Sequence, residues 1–128
     1  MIIKSIEYKN FRCFIDGKIE FDTKNKLNFI IGENGAGKTE MLFSFWWVLY
    51  DFDYKNLSNK KYTPYALNSR LYKELENSST FKEYIAEVIL EFEHNNRSYR
   101  LRRTRHFTKV NSKVKEDDYV ELAQYDQY

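Results

Sequence analysis

The stretch LNFIIGENGAGKTEMLFSFWW, residues 27–47, decides how the rest of this chain is read. Inside it, Gly32-Glu33-Asn34-Gly35-Ala36-Gly37-Lys38-Thr39 fits the pattern G-x-x-x-x-G-K-[ST] without a gap. Glycines at those positions let the backbone turn tightly and aim its N–H groups inward at phosphate oxygens. The Lys38 ammonium would reach the β- and γ-phosphates of a nucleotide, and the Thr39 hydroxyl would be a ligand of Mg²⁺. The pattern carries weight only between a strand and a helix. Leu27 to Ile31 is a short apolar run after polar Lys24-Asn25-Lys26, as a buried strand would be. Met41-Leu42-Phe43 and Phe45 to Tyr50 then form a run that is apolar nearly all round, as in a helix buried on several sides. That helix would point the positive end of its dipole at the bound anion.

Working outward, Ile2 to Tyr8 alternates apolar and polar residues and predicts a half-buried strand. Asn10-Phe11-Arg12-Cys13-Phe14 would leave that strand. Asp16-Gly17 is a hairpin signal, with Lys18 to Phe21 as the return arm. Residues 51–80 are rich in Asn, Ser, Lys and Tyr and include Pro64, which predicts a surface insertion with a short helix near Leu67 to Leu75. Beyond it, Tyr84, Ala86, Val88, Leu90 and Phe92 line one face of a strand. Asn95-Asn96 makes a turn, and RSYRLRRTRHF returns from Arg97 to Phe107. The acidic first arm and basic second arm suit cross-strand pairing. A further strand starts at Tyr119.

Composition sets bounds. At 128 residues the chain is one domain or part of one, and its 18% aromatic content supplies large groups for a modest core. A formal charge of +2 does not argue for nucleic acid, so such a claim must rest on local patches. Arg100, Arg102, Arg103, Arg105 and Lys109 are the candidates for DNA contact; the competing reading pairs this arm with Glu87, Glu91 and Glu93 and leaves it solvated. The single Cys13 excludes an internal disulfide and suits a reducing, cytoplasmic setting. No stretch has the length and apolarity of a membrane span or targeting segment.

IKSIEYKNFRCF, the hairpin after it, LNFIIGENGAGKTEML and AEVILEFEHNNRSYRLRRTR together resemble the N-terminal lobe of the ABC-type ATPases that work on DNA. These are the structural-maintenance-of-chromosomes (SMC) proteins, the double-strand-break-repair ATPases, RecF, SbcC and DndD. The resemblance implies an α/β fold, a P-loop NTPase of which residues 1–128 are the N-terminal lobe, with antiparallel β-hairpins packed beside the P-loop helix. It implies ATP and Mg²⁺ as cofactors. Its partners would be a second ATPase head in a homodimer, the C-terminal half of the same ATPase, DNA and a nuclease subunit, in DNA repair or antiviral defence. It also implies that Arg12 lies near the nucleotide, on a phosphate or the base, and that Asn34 faces the γ-phosphate. The alternatives are a solvated loop arginine and a residue tolerated in a turn.

Two departures from the family pattern stand out. After the Walker threonine the family usually has another Ser or Thr, which helps to hold the α-phosphate; here that residue is Glu40. Its carboxylate is expected either to point toward the α-phosphate and oppose it, or to turn away and cap the helix; the first is favoured. The second departure is an absence. No signature loop, coiled coil or Walker B strand follows, Asp117-Asp118 is a poor Walker B, and Gln124 and Gln127 lie in what reads more simply as a hairpin arm than as a glutamine loop. No catalytic residue is therefore assigned within this chain, which looks like an N-terminal fragment needing its other half for hydrolysis. The competing functions are a non-catalytic nucleotide-binding or interaction module, and, more weakly, a P-loop kinase or GTPase, for which the base-reading motif N-K-x-D is missing.

Overall fold

The computed structural model describes residues 1–21, 38–50 and 66–125. Among the described residues five strands, β1 (Ile2–Phe11), β2 (Phe14–Glu20), β3 (Lys82–His94), β4 (Arg97–Val110) and β5 (Lys113–Tyr125), form one sheet of order β2-β1-β3-β4-β5. Every pairing in it is antiparallel. Among the described residues two helices, α1 (Lys38–Tyr50) and α2 (Ser69–Glu76), accompany the sheet. The strand expected at Leu27 to Ile31 and the loop from Gly32 to Gly37 lie outside the described residues.

Alternation sorts the sheet into two faces. Ile6, Tyr8, Ala86, Val88, Leu90, Leu101 and Phe107 are buried and join Met41, Trp47 and Val48 of α1 and Leu71 and Leu75 of α2 in one core. Trp47 is fully buried, with its ring 5.1 Å from that of Phe11. A second anchor is polar: the Tyr8 hydroxyl lies 2.7 Å from Ser44 Oγ, which also donates to the Met41 carbonyl. Burial pushes the Tyr8 phenol up to about 12, against the lowering effect of the Ser44 contact. The apolar run of α1 is only partly covered, because Leu42, Trp46 and Tyr50, spaced four residues apart, remain exposed.

The structure corrects two boundaries. β1 does not end at Tyr8 but continues through Phe11, and the chain turns at Arg12-Cys13, with Phe11 opposite Phe14. Asp16-Gly17 therefore lies within β2, opposite Lys9 and Tyr8. Aromatic contact favours the earlier turn: Phe14 stacks on Tyr8 with centroids 4.3 Å apart. Gly17 has no special task there, since an added Cβ would meet nothing within 4 Å. The short helix expected near Leu67 to Leu75 within 51–80 is present as α2, Ser69–Glu76. In the described end of this segment Ala66, Leu67, Leu71 and Leu75 are buried, so that end is built into the core rather than laid over it. The second corrected boundary is that of β5, which starts at Lys113, six residues before Tyr119, after a two-residue turn whose Asn111 and Ser112 both have positive φ. Asn95-Asn96 does the same between β3 and β4, as expected from the sequence.

The charged arms pair across strands. Arg100 Nη2 lies 2.8 Å from Glu91 Oε1, and Arg102 Nε lies 3.9 Å from Glu87 Oε2. β5 supplies acids that the sequence reading left out. Asp118 accepts from Arg103 at 2.7 Å and lies 3.5 Å from Arg105 Nε, and Glu116 lies 3.9 Å from Arg105 Nη1. The Arg103 and Arg105 guanidiniums also lie over the Trp47 ring, at 5.9 and 5.5 Å. Arg103 Nε donates to the Val48 carbonyl in the last turn of α1, which has no basic residue of its own. It thereby meets one of the carbonyls that a helix end leaves without an internal partner.

Removing the Trp47 ring should cost about 3–5 kcal/mol, as other large-to-small core changes do. Chemical denaturation of Trp47→Ala, read by far-UV circular dichroism, checks this; an unchanged midpoint would show that α1 is not anchored by this ring. A second test uses pH. Burial pushes the Glu91 carboxyl up, but the Arg100 hydrogen bonds and charge outweigh it and hold it below the ordinary glutamate value. A depressed folded value adds stability above the unfolded pKa and loses it as pH falls through the folded one. Glu91→Gln should thus be less stable than the parent at pH 7, with the gap closing below about pH 4. Melts across that range decide it; a gap that does not vary with pH would remove the ion pair as its cause.

Candidate functional site

The candidate site is assembled where the β1–β2 turn meets the first turn of α1. Arg12 sits in that turn at φ 51°, and Asn10 just before it has the same value. A left-handed conformation costs a residue with a Cβ roughly 1–2 kcal/mol, so something must hold it. The holding group is the short segment Ala66 to Asn68. The Arg12 N–H donates to the Ala66 carbonyl at 3.1 Å, and the Asn68 N–H donates to the Asn10 carbonyl at 2.9 Å. Asn68 Nδ2 donates to the Arg12 carbonyl at 2.6 Å. Phe11 and Leu67 form an isolated bridge between these two hydrogen-bonded ends.

Asn68 has a second task. Its side-chain oxygen accepts from the N–H groups of Arg70 and Leu71, at 3.1 and 3.3 Å, and so caps α2. One side chain thus starts a helix and pins the turn that carries Arg12. Sequence reasoning missed this residue, although an Asn directly before SRLYKELE is a recognisable cap signal.

Arg12 meets Glu40 edge on. Nε lies 2.8 Å from Oε2 and Nη2 lies 3.0 Å from Oε1, a bidentate pair. The side chains are 30% and 27% exposed, at the rim rather than in the core. This is neither of the two arrangements anticipated for Glu40, since its carboxylate is engaged by a cation from another element. Arg12, Cys13, Glu40, Leu67, Asn68 and Ser69 line a cleft of about 460 Å³. Burial, and then the Glu40 carboxylate, push the Cys13 thiol up, so Cys13 is not an activated nucleophile.

The other predicted site residues fall as follows. Gly32, Glu33, Asn34, Gly35, Ala36 and Gly37 lie outside the described residues. Lys38 and Thr39 are the first two residues of α1, so the helix begins where the loop pattern requires it; their side chains are outside the description. Among the described residues, no group of three His, Cys, Asp or Glu side chains could hold a metal ion. Gln124 is on β5, opposite Tyr99, and Gln127 is not described.

Strand alternation divides the five DNA candidates between two faces. Arg103, Arg105 and Lys109 share the face that carries the buried Leu101 and Phe107, while Arg100 and Arg102 are on the opposite one. Lys109 Nζ donates to the Glu76 carbonyl at the end of α2, at 2.7 Å. Arg103 and Arg105 are mostly covered, with side chains 9% and 12% exposed. Among the described residues, no helix is long and apolar enough to cross a membrane.

Residues 5–128 match the AAA domain family. Over 42 residues the chain is 50% identical to the DNA double-strand break repair Rad50 ATPase of Archaeoglobus fulgidus, covering 33% of this chain and 4% of that protein. Over 61 residues it is 36% identical to the chromosome partition protein Smc of Fusobacterium nucleatum, covering 48% and 5%. Over 81 residues it is 28% identical to the DNA replication and repair protein RecF of Azobacteroides pseudotrichonymphae, covering 60% and 22%. The matched segments thus span under a quarter of each of these relatives. With the family match covering nearly all of the sequence, the chain belongs to the AAA domain family, as an N-terminal lobe of the SMC-like ABC ATPase type.

Proposed function

We propose that this chain is the ATP-binding lobe of an SMC-like ATPase that acts on DNA, in repair or in defence against foreign DNA. The observation that carries the proposal is the start of α1 at Lys38, directly after the glycine-rich pattern, in a chain whose relatives are DNA repair and chromosome partition proteins. In this P-loop NTPase reading, the N–H groups of Gly32 to Gly37 cradle the phosphates. Lys38 neutralises charge on the β- and γ-phosphates, and Thr39 holds Mg²⁺. The end of α1 adds the favourable pole of its dipole. Arg12, anchored by its backbone and by Glu40, would add guanidinium N–H donors at the same end.

Hydrolysis also needs a group that positions water and a donor opposite the γ-phosphate. Both are assigned to parts supplied from outside residues 1–128, the C-terminal half of the ATPase and a second head. ATP would then join two heads and hydrolysis would part them, with DNA and a nuclease as the machinery served. The family resemblance supports this cycle, and the lengths of the relatives leave room for it.

The chain should bind Mg-ATP, and Lys38→Ala should weaken that binding by about tenfold or more, the worth of a hydrogen bond to a charged group. Calorimetric titration of both proteins checks this; equal dissociation constants would remove the phosphate loop from the function. The 128-residue chain alone should release no phosphate from ATP above background. Turnover by pure protein that disappears in Lys38→Ala would show that the second half is not needed.

A further inference from the structure

We propose that Glu40 is a positioning residue for Arg12, holding the guanidinium at the phosphate-loop end of α1, where it contributes to binding the polyphosphate of a nucleotide. This inference rests on the nucleotide-binding reading above, but assigns Glu40 a role that the sequence pattern does not. Read from sequence, Glu40 is a misplaced negative charge next to an anion site. In the structure its charge is compensated at 2.8 and 3.0 Å by Arg12, so the pair together carries no net charge to oppose a phosphate.

Three features make the pair a device for orientation. First, the turn that carries Arg12 is fixed independently: its N–H, its carbonyl and the Asn10 carbonyl are all engaged by Ala66 and Asn68. The backbone position of Arg12 is therefore set before its side chain does anything. Second, a long, flexible side chain on a fixed backbone still has many rotamers, and a two-point contact to a carboxylate removes most of them. Third, Glu40 is the third residue of α1, two after Lys38, so whatever it holds is held beside the loop lysine's turn of helix. A pair about 30% exposed adds little to fold stability. Its contribution should accordingly appear in ligand binding rather than in the melting temperature.

Four proteins decide the matter: the parent chain, Glu40→Thr, Arg12→Ala and the double variant, each titrated with Mg-ATP after a thermal melt. Glu40→Thr should weaken binding roughly fivefold to tenfold in the parent background and change it little when Arg12 is already alanine, the pattern of two coupled residues. Glu40→Gln, which keeps the side-chain shape and one acceptor oxygen but not the charge, should fall between parent and Glu40→Thr. It repeats the comparison should the threonine variant fold poorly. A tighter or unchanged Mg-ATP affinity in Glu40→Thr, or the same loss in both backgrounds, overturns the positioning role while leaving nucleotide binding intact. A parent chain that binds no Mg-ATP overturns both.

Discussion

The docking of α1 onto the sheet through Trp47 is the contact on which the rest of the structure depends. Its ring is fully buried against Phe11 and covered by the guanidiniums of Arg103 and Arg105. Those contacts span β1 and β4, so one side chain fixes the helix against two strands separated by β3. Tyr8 and Ser44 add a hydrogen bond one turn earlier in the helix. With α1 held at these points, its first turn comes to the end of β1, and Glu40 comes within reach of Arg12. The candidate site is thus a consequence of core packing: large aromatic contacts set the helix, and the helix sets the site.

Charge plays a different part in each layer. On the face opposite the core the ladder of Glu87, Glu91, Arg100 and Arg102 is partly exposed, and contacts of this kind tune register more than stability. Beneath α1, Arg103 is buried, and there an unpartnered guanidinium would be costly. It has Asp118, the Val48 carbonyl and the Trp47 face as partners. A strand rich in arginine is thereby accommodated in a sheet with a core on one side. The same arrangement spreads the candidate DNA contacts over two faces, so any cationic surface that tracks a phosphate backbone here would draw on Arg100 and Arg102 from one side only.

The region around Arg12 shows how strain and support go together. Two left-handed residues on either side of Phe11, Asn10 and Arg12, both at φ 51°, bend the end of β1 out of regular strand geometry. The cost is met by hydrogen bonds from a segment more than fifty residues later in the chain. Strained residues that persist only through such support cluster at functional sites. The β1–β2 turn is held in this way, and Asn68, one of the residues that hold it, also lines the cleft beside it.

Much of this was legible in the sequence because the signals are local. Alternation placed β1, β3 and β4, Asn95-Asn96 placed their turn, and the glycine-rich pattern announced the start of α1 at Lys38. These features depend on side-chain period and on backbone preferences that each short stretch carries with it. The hairpin turn at Arg12-Cys13 was not legible, because Asp16-Gly17 is the stronger local signal and only the stacking of Tyr8 and Phe14 overrides it. The start of β5 at Lys113 was hidden for a similar reason: a run of Lys, Glu and Asp reads as loop until the arginines of β4 provide its counterions. The partner of Glu40 was beyond any pattern, since Arg12 lies 28 residues away and meets it only when helix and sheet are packed. Sequence determined which segments become strands and helix and which residues resemble a phosphate loop; tertiary structure decided which charges meet, because that depends on distances no local preference encodes.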